Sequence, residues 1–157
     1  MRREGKTLPS LMKKITQKGD CLRNLLFCVT ESYLCPSLHK VRFYTVVGLV
    51  NQLIDTNQKG QLNRLMNQLD KLDLLILDKL GYIPLGKEGA ELLFQVISMC
   101  YEKRSIIITT NLKFGQWNHV FGNQVLTEAV IDRLIHHSHL TIFTGESYRY
   151  RKSSIRS

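Results

Sequence analysis

The chain has 157 residues, 43% of them hydrophobic and 22% charged, proportions that fit one globular domain large enough to build its own core and too small for a second. No apolar run approaches the roughly 20 residues that a membrane helix needs. Lys and Arg number 22 against 13 Asp and Glu, a formal net charge of +9, and a field of that sign favours polyanions: nucleic acid, nucleotide or an acidic partner.

Residues 1–40 are weakly patterned and hold two of the three prolines, Pro9 and Pro36. Their basic start, Met1-Arg2-Arg3-Glu4-Gly5-Lys6-Thr7, leads into Lys13, Lys14 and Lys18 with no secretory core, which reads as a cytoplasmic chain. Leu22 to Val29 fits either a strand or a short helix, because periodicity does not separate the two at that length. From Val41 the pattern sharpens. Val41-Arg42-Phe43-Tyr44-Thr45-Val46 predicts a short strand, and Val47 to Asn57 a helix with Val50, Leu53 and Ile54 on one face, stopped by Gly60. Gln61 to Leu69 repeats Leu62, Leu65, Met66 and Leu69 at helical spacing. Lys71 to Asp78 predicts a strand, Gly81 to Gly86 a loop, and Lys87 to Tyr101 an amphipathic helix with Glu88 in its first turn. Ser105 to Asn111 predicts a strand, Phe114 to Val120 a short helix around Trp117, Leu126 to His137 a further helix, and Leu140 to Phe143 a last strand. Strands alternating with helices in this way predict a three-layer α/β fold with a parallel sheet and right-handed crossovers.

Two of these strands carry the functional signal. Leu74-Leu75-Ile76-Leu77-Asp78 and Ser105-Ile106-Ile107-Ile108-Thr109-Thr110-Asn111 are the unbroken apolar runs of strands covered on both faces, each ending in a polar residue. Ligands of such sheets bind at the carboxyl ends of the strands. A carboxylate beside an amide there suits a magnesium-bound nucleotide phosphate. Other site chemistries are poorly supported. Cys21, Cys28, Cys35 and Cys100 form no CxxC pair and read as free thiols, and His136, His137 and His139 read as a polar helix end. The carboxylate or His/Cys clusters of a metal-dependent nuclease or deaminase are absent from the sequence. The basic charge is concentrated in residues 1–40 and from Arg149 to Arg156, where nucleic-acid contact is as reasonable as a solvated tail.

From Val41 to Arg151 the wording "VRFYTVVGLVNQL", "LDLLILDKLGYIPL", "GAELLFQVI", "SIIITTNLKFGQW" and "DRLIHHSHLTIFTGESYR" resembles the IstB-like ATPases, transposition helpers of the AAA+ superfamily related to the DnaC-type helicase loaders. The resemblance implies a P-loop NTPase-like core over 41–151, flanked by an atypical segment at 1–40 and a basic tail at 152–157. It also implies ATP and Mg as cofactors, and DNA, a transposase and further copies of the chain as partners. By it, Asp78 is the Walker B aspartate that holds Mg, Asn111 the sensor that positions the attacking water, and Arg133 the arginine presented to a neighbouring subunit's nucleotide.

Two departures bear on catalysis. Where the family follows its aspartate with an acidic residue that activates water, this chain has Lys79, which cannot act as that base while protonated. A phosphate loop, G-x-x-x-x-G-K-[ST], is matched only at Gly5-Lys6-Thr7, with no upstream glycine or strand and with Pro9 where a helix should begin. The phosphate-loop end of the fold is therefore expected to be incomplete, as at a truncated or frame-altered start. The sequence thus suggests an ATP-binding transposition helper with impaired hydrolysis. The alternative is a nucleotide-free DNA-binding or interaction module, or a non-functional fragment of such an ATPase.

Overall fold

A computed structural model describes residues 25–30, 40–136 and 138–143, with the backbone alone at residues 25–30 and at Phe143. Five strands form one sheet in the order β2-β3-β4-β1-β5. They are β1 (Leu25–Thr30), β2 (Val41–Thr45), β3 (Leu74–Leu80), β4 (Ser105–Thr110) and β5 (Ser138–Phe143). The helices are α1 (Val46–Gln58), α2 (Leu62–Leu69), α3 (Gly86–Cys100), α4 (Asn118–Phe121) and α5 (Gln124–Ile135), with a 3-10 turn at Phe114–Gln116.

The expected parallel core is present: β2 pairs with β3 and β3 with β4, all in one direction. Every residue of β4 is buried, as are the first four of β3. Leu75, Leu77, Ile106 and Ile108 join the hydrophobic core with α1 and α3, whereas Leu74, Ile76 and Ile107 alternate to the opposite face and are also buried. The central strands β3 and β4 are thus shielded from water on both faces, whereas edge strands β2 and β5 are largely exposed. The helices α1, α3 and α5 pack side by side on one face of the sheet. Gly89 of α3 permits the close crossing, since a Cβ there would stand 2.6 Å from Val50 Cγ1 of α1.

Local signals set the element ends. Strand β2 passes into α1 without a loop because Thr45 caps the helix, its hydroxyl accepting the Gly48 N–H at 3.2 Å. Asn123 caps α5 in the same way through the Leu126 N–H at 3.0 Å, so that helix starts at Gln124 and ends at Ile135, two residues earlier at each end than the sequence pattern suggests. The short helix around Trp117 is split into the 3-10 turn and α4, and Trp117 is fully buried between Phe114 and Phe121.

One strand departs from the all-parallel expectation. The segment that fitted strand or helix equally is β1, inserted between β4 and β5 and antiparallel to both, with Leu26 opposite Thr110 and Thr30 opposite Ile106 and Ser138. The sheet is therefore mixed. Backbone donors and acceptors on the facing edges of β4 and β5 demand a partner, and a six-residue strand between them satisfies both in either direction.

Candidate functional site

The carboxyl ends of β3 and β4 meet at a built polar corner. Strand β3 does not stop at Asp78, as the sequence pattern suggests, but continues to Leu80 through a bulge: Leu77 pairs with Ile108 and Leu80 with Thr110, so Asp78 and Lys79 together face the single residue Thr109. Lys79 is the residue that makes the bulge, with φ at +65°, a left-handed conformation uncommon outside glycine. Thr109 holds the corner together. Its hydroxyl accepts the Lys79 N–H at 3.0 Å and donates to Asp78 Oδ1.

This arrangement holds the half-buried Asp78 carboxylate against Thr109 near the carboxyl end of β3, while Lys79 is exposed beside it. Thr109 was not among the residues singled out from the sequence. A threonine in a β-strand is ordinary, and only its place at the end of the Ile106-Ile107-Ile108 run marks it. The neighbouring Thr110 hydroxyl donates to the Leu80 carbonyl at 2.7 Å and accepts the Leu112 N–H at 3.1 Å, tying the two strand ends and the next loop together.

Asn111 lies one residue beyond the end of β4 and is exposed, so it and Asp78 sit at the same end of adjacent strands. Arg133 lies elsewhere. It is ten residues along from the Asn123 cap of α5, and the residue that caps the other end of that helix is His136, whose Nδ1 meets the Tyr101 hydroxyl at 3.0 Å at the close of α3. Arg133 is therefore toward the amino ends of the parallel strands, not with Asp78. Its guanidinium stacks over the Phe94 ring at 4.8 Å and donates to the Ala129 carbonyl at 2.9 Å.

Gly5, Lys6 and Thr7 lie outside the described residues, as do the basic tail and His137. Strand β1 nevertheless bears on them. A phosphate loop follows the carboxyl end of a strand parallel to its neighbours, so that its amides reach the corner where Asp78 stands. Strand β1 begins at that corner, with Leu26 beside Thr110, and ends at the opposite edge with Thr30. The strand next to β4 runs the wrong way to deliver such a loop, and Gly5-Lys6-Thr7 precedes it in the chain.

Among the described residues, no group of three or more His, Cys, Asp or Glu side chains could hold a metal ion, and no helix is long and apolar enough to cross a membrane. Of the cysteines, Cys100 is described as a free, buried thiol, and burial pushes its pKa up to about 12 against a partial opposing effect of Arg104.

Comparison with known proteins bears on the whole of this core. The chain resembles the insertion sequence IS21 ATP-binding protein of Pseudomonas aeruginosa, 41% identical over 114 residues, covering 73% of this chain and 43% of that protein. It resembles the insertion sequence IS5376 ATP-binding protein of Geobacillus stearothermophilus at 42% over 117 residues, covering 74% and 47%. The chain thus spans less than half the length of these relatives. Among solved structures, the replication initiator DnaA bound to AMPPCP and single-stranded DNA superposes with a TM-score of 0.50 at 19% identity, over 59% of this chain and 28% of that one, a likeness of AAA+ fold. The family model described as IstB-like ATP binding protein matches residues 30–156, which include Asp78, Asn111 and Arg133 and exclude Gly5, Lys6 and Thr7. The chain belongs to the IstB-like ATP-binding protein family.

Proposed function

We propose that this chain is an ATP-binding helper of DNA transposition with an impaired hydrolytic step, associated with DNA and a transposase and assembling with further copies of itself. The observation that carries the reading is the corner at the end of β3, where Asp78 is oriented by Thr109 and followed by Lys79 in a left-handed bulge. Phosphoryl transfer is catalysed chiefly by positioning and by neutralising phosphate charge. In this reading Asp78 is the strand-end carboxylate of the nucleotide site, Asn111 orients water beside it, and Arg133 is offered to the nucleotide of a neighbouring copy.

The donor set fits magnesium only in company. Thr109 engages one oxygen of Asp78, which leaves Oδ2 to face water or an ion, and a single carboxylate suits a magnesium ion that keeps several waters and takes its remaining oxygens from phosphate. Bound there, magnesium would supply charge neutralisation at the phosphates. Lys79 supplies positive charge of its own in place of a water-activating carboxylate, so the corner is suited to holding phosphate and poorly suited to activating water. Gly5, Lys6 and Thr7 are the only phosphate-loop fragment in the sequence.

Equilibrium binding of a fluorescent ATP analogue with magnesium, on the full chain and on Asp78→Ala, tests this. Saturable binding that the substitution abolishes is expected. No binding at millimolar nucleotide in either chain overturns the ATP-dependent reading. Lys79→Glu should bind nucleotide without gaining hydrolysis if the phosphate-loop end is incomplete, because a base at the end of β3 does not supply phosphate-cradling amides.

The reversed direction of β1 favours a second reading: a nucleotide-free DNA-binding or interaction module that retains the sheet. Salt-sensitive DNA binding with no response to ATP would support it, and magnesium-dependent hydrolysis lost in Asp78→Ala would eliminate it.

A further inference from the structure

We propose that the cleft beside the amino end of edge strand β2 is a binding site for the phosphodiester backbone of DNA. This rests on the reading of the chain as DNA-associated and supplies the place on the molecule where that contact is made. The cleft has a volume of about 640 Å³, and its polar lining is Lys40, Arg42, Tyr44, Gln52, Gln68 and Lys71. Three cations and two amides face it, and no carboxylate of the described residues lines it.

The cations are available. Lys40, Arg42 and Lys71 are exposed, and the ion pairs among the described residues are Lys59 with Asp55 and Arg104 with Asp70, neither of which involves them. The acidic residues nearest in sequence are engaged in other ways. Asp73 accepts the backbone N–H of Lys40 at 2.8 Å, and Asp70 faces Arg104 at 3.9 Å. Asp73 keeps its charge while it accepts that N–H, and Asp70 is offset by Arg104, so Lys40, Arg42 and Lys71 outweigh the one remaining carboxylate and the local field of the cleft is positive.

The spacing suits a repeating anion. Lys40, just before β2, and Arg42 and Tyr44 within it are spaced two residues apart, and at about 3.3 Å per residue the two cations leave the chain about 6.6 Å apart, close to the step between successive phosphates of one strand. Lys71 approaches from the turn before β3, so the positive charge forms a track and not a point. The guanidinium of Arg42 grips phosphate through two parallel N–H donors, and Gln52 and Gln68 add neutral donors that suit phosphate and sugar oxygens without reading sequence.

The cleft is also separate from the nucleotide corner. Val41 pairs with Leu74 at one end of the strand pair and Thr45 with Asp78 at the other, four residues or about 13 Å away. DNA and nucleotide can be held together.

The test is fluorescence anisotropy of a labelled random-sequence DNA duplex with the full chain, without nucleotide, across a salt series. Arg42→Gln with Lys71→Gln is compared with Lys87→Gln and Lys113→Gln, a double of equal charge change at the other end of the strands. The cleft double should weaken binding by about tenfold or more and flatten the slope of log affinity against log salt by about 2, whereas the control double should stay within about threefold. Arg42→Lys alone should retain most of the affinity, which separates loss of charge from loss of fold. Equal weakening by the two doubles, or none by the cleft double, overturns the site while leaving DNA association intact. No DNA binding by the unaltered chain overturns both. Displacement of the duplex by polyglutamate as effectively as by unlabelled DNA would assign the cleft to an acidic peptide and overturn the nucleic-acid assignment.

Discussion

The two halves of the sheet are built from similar apolar strands and differ in what they offer chemistry. In the parallel half, β2, β3 and β4 end together, and the corner they form carries Asp78, Lys79, Thr109 and Asn111. In the other half, β1 lies antiparallel between β4 and β5 and brings its amino end to that same corner. Hydrophobic burial accepts either direction, because it depends on area and not on polarity of the chain. A phosphate loop does not, because its amides must follow a strand's carboxyl end. The comparison separates what completes the sheet from what a phosphate loop needs: β1 supplies backbone partners to β4 and β5, and its carboxyl end lies away from the Asp78 corner.

Cys100 tests how well sealed the parallel half is. Burial pushes its pKa up to about 12, against an ordinary 9.0, so both the scarcity of thiolate and the lack of access should make its alkylation in the folded chain far slower than that of an exposed thiol. Mass-spectrometric alkylation rates of Cys100 in folded and denaturant-unfolded chain check this, and similar rates would mean that the amino end of the half opens freely. The same shift gives stability a direction with pH. Below about 9 both states keep the proton; between 9.0 and about 12 the unfolded chain releases it while the folded chain retains it, so stability falls as pH rises through that window.

The next largest effect should come from β1. Cys28 pairs with Ile108 on one side and Leu140 on the other, and proline in the middle of a strand removes a ladder hydrogen bond and strains its neighbours. Cys28→Pro should cost about 3 kcal/mol in a denaturant titration. A cost near zero would mean that β1 contributes nothing to the sheet and that the position between β4 and β5 is open to a strand of either direction.

Much of the parallel half was legible because its signals are local. The Ile-rich run of β4, the polar residues after it, and the periodicity of α1 and α3 all lie within one element. Direction is not local: the run at Leu22 to Val29 fitted strand or helix, and its partners Ile106 to Thr110 and Ser138 to Phe143 lie some eighty or more positions away. The bulge was hidden for the same reason. Asp78 looked like the end of its strand because the apolar run stops there, while what carries β3 on to Leu80 is a hydroxyl thirty-one residues downstream of Asp78. The cleft was not singled out in the sequence, because Lys71 joins Lys40 and Arg42 only in three dimensions.

The bulge itself supplies the next prediction. Thr109→Val keeps the shape and burial of the side chain but leaves the Lys79 N–H and one Asp78 oxygen without the hydroxyl between them. A loss of about 1 to 2 kcal/mol is expected, since these groups are only partly buried and water recovers some of the bonding. Thr109→Ser should recover most of it. If the valine variant is as stable as the unaltered chain, the hydroxyl does not hold the corner and Asp78 is oriented by the backbone alone.

Lys79 should give the smallest change and the one of opposite sign. A lysine at φ +65° carries a steric cost of roughly 1 to 2 kcal/mol that glycine avoids, partly cancelled by the greater freedom glycine gives the unfolded chain. Lys79→Gly should therefore raise stability by about 0.5 kcal/mol, even though it removes a long side chain beside Asp78. Lys79→Glu keeps the left-handed cost and adds a like charge next to a carboxylate, so it should fall below the unaltered chain. Thermal melts of the three chains at low salt order them Gly, Lys, Glu. Should glutamate prove the most stable, the corner would have to supply a cation or donor that favours two adjacent carboxylates, and the lysine would be a loss of an acidic site and not an adaptation of the bulge to phosphate.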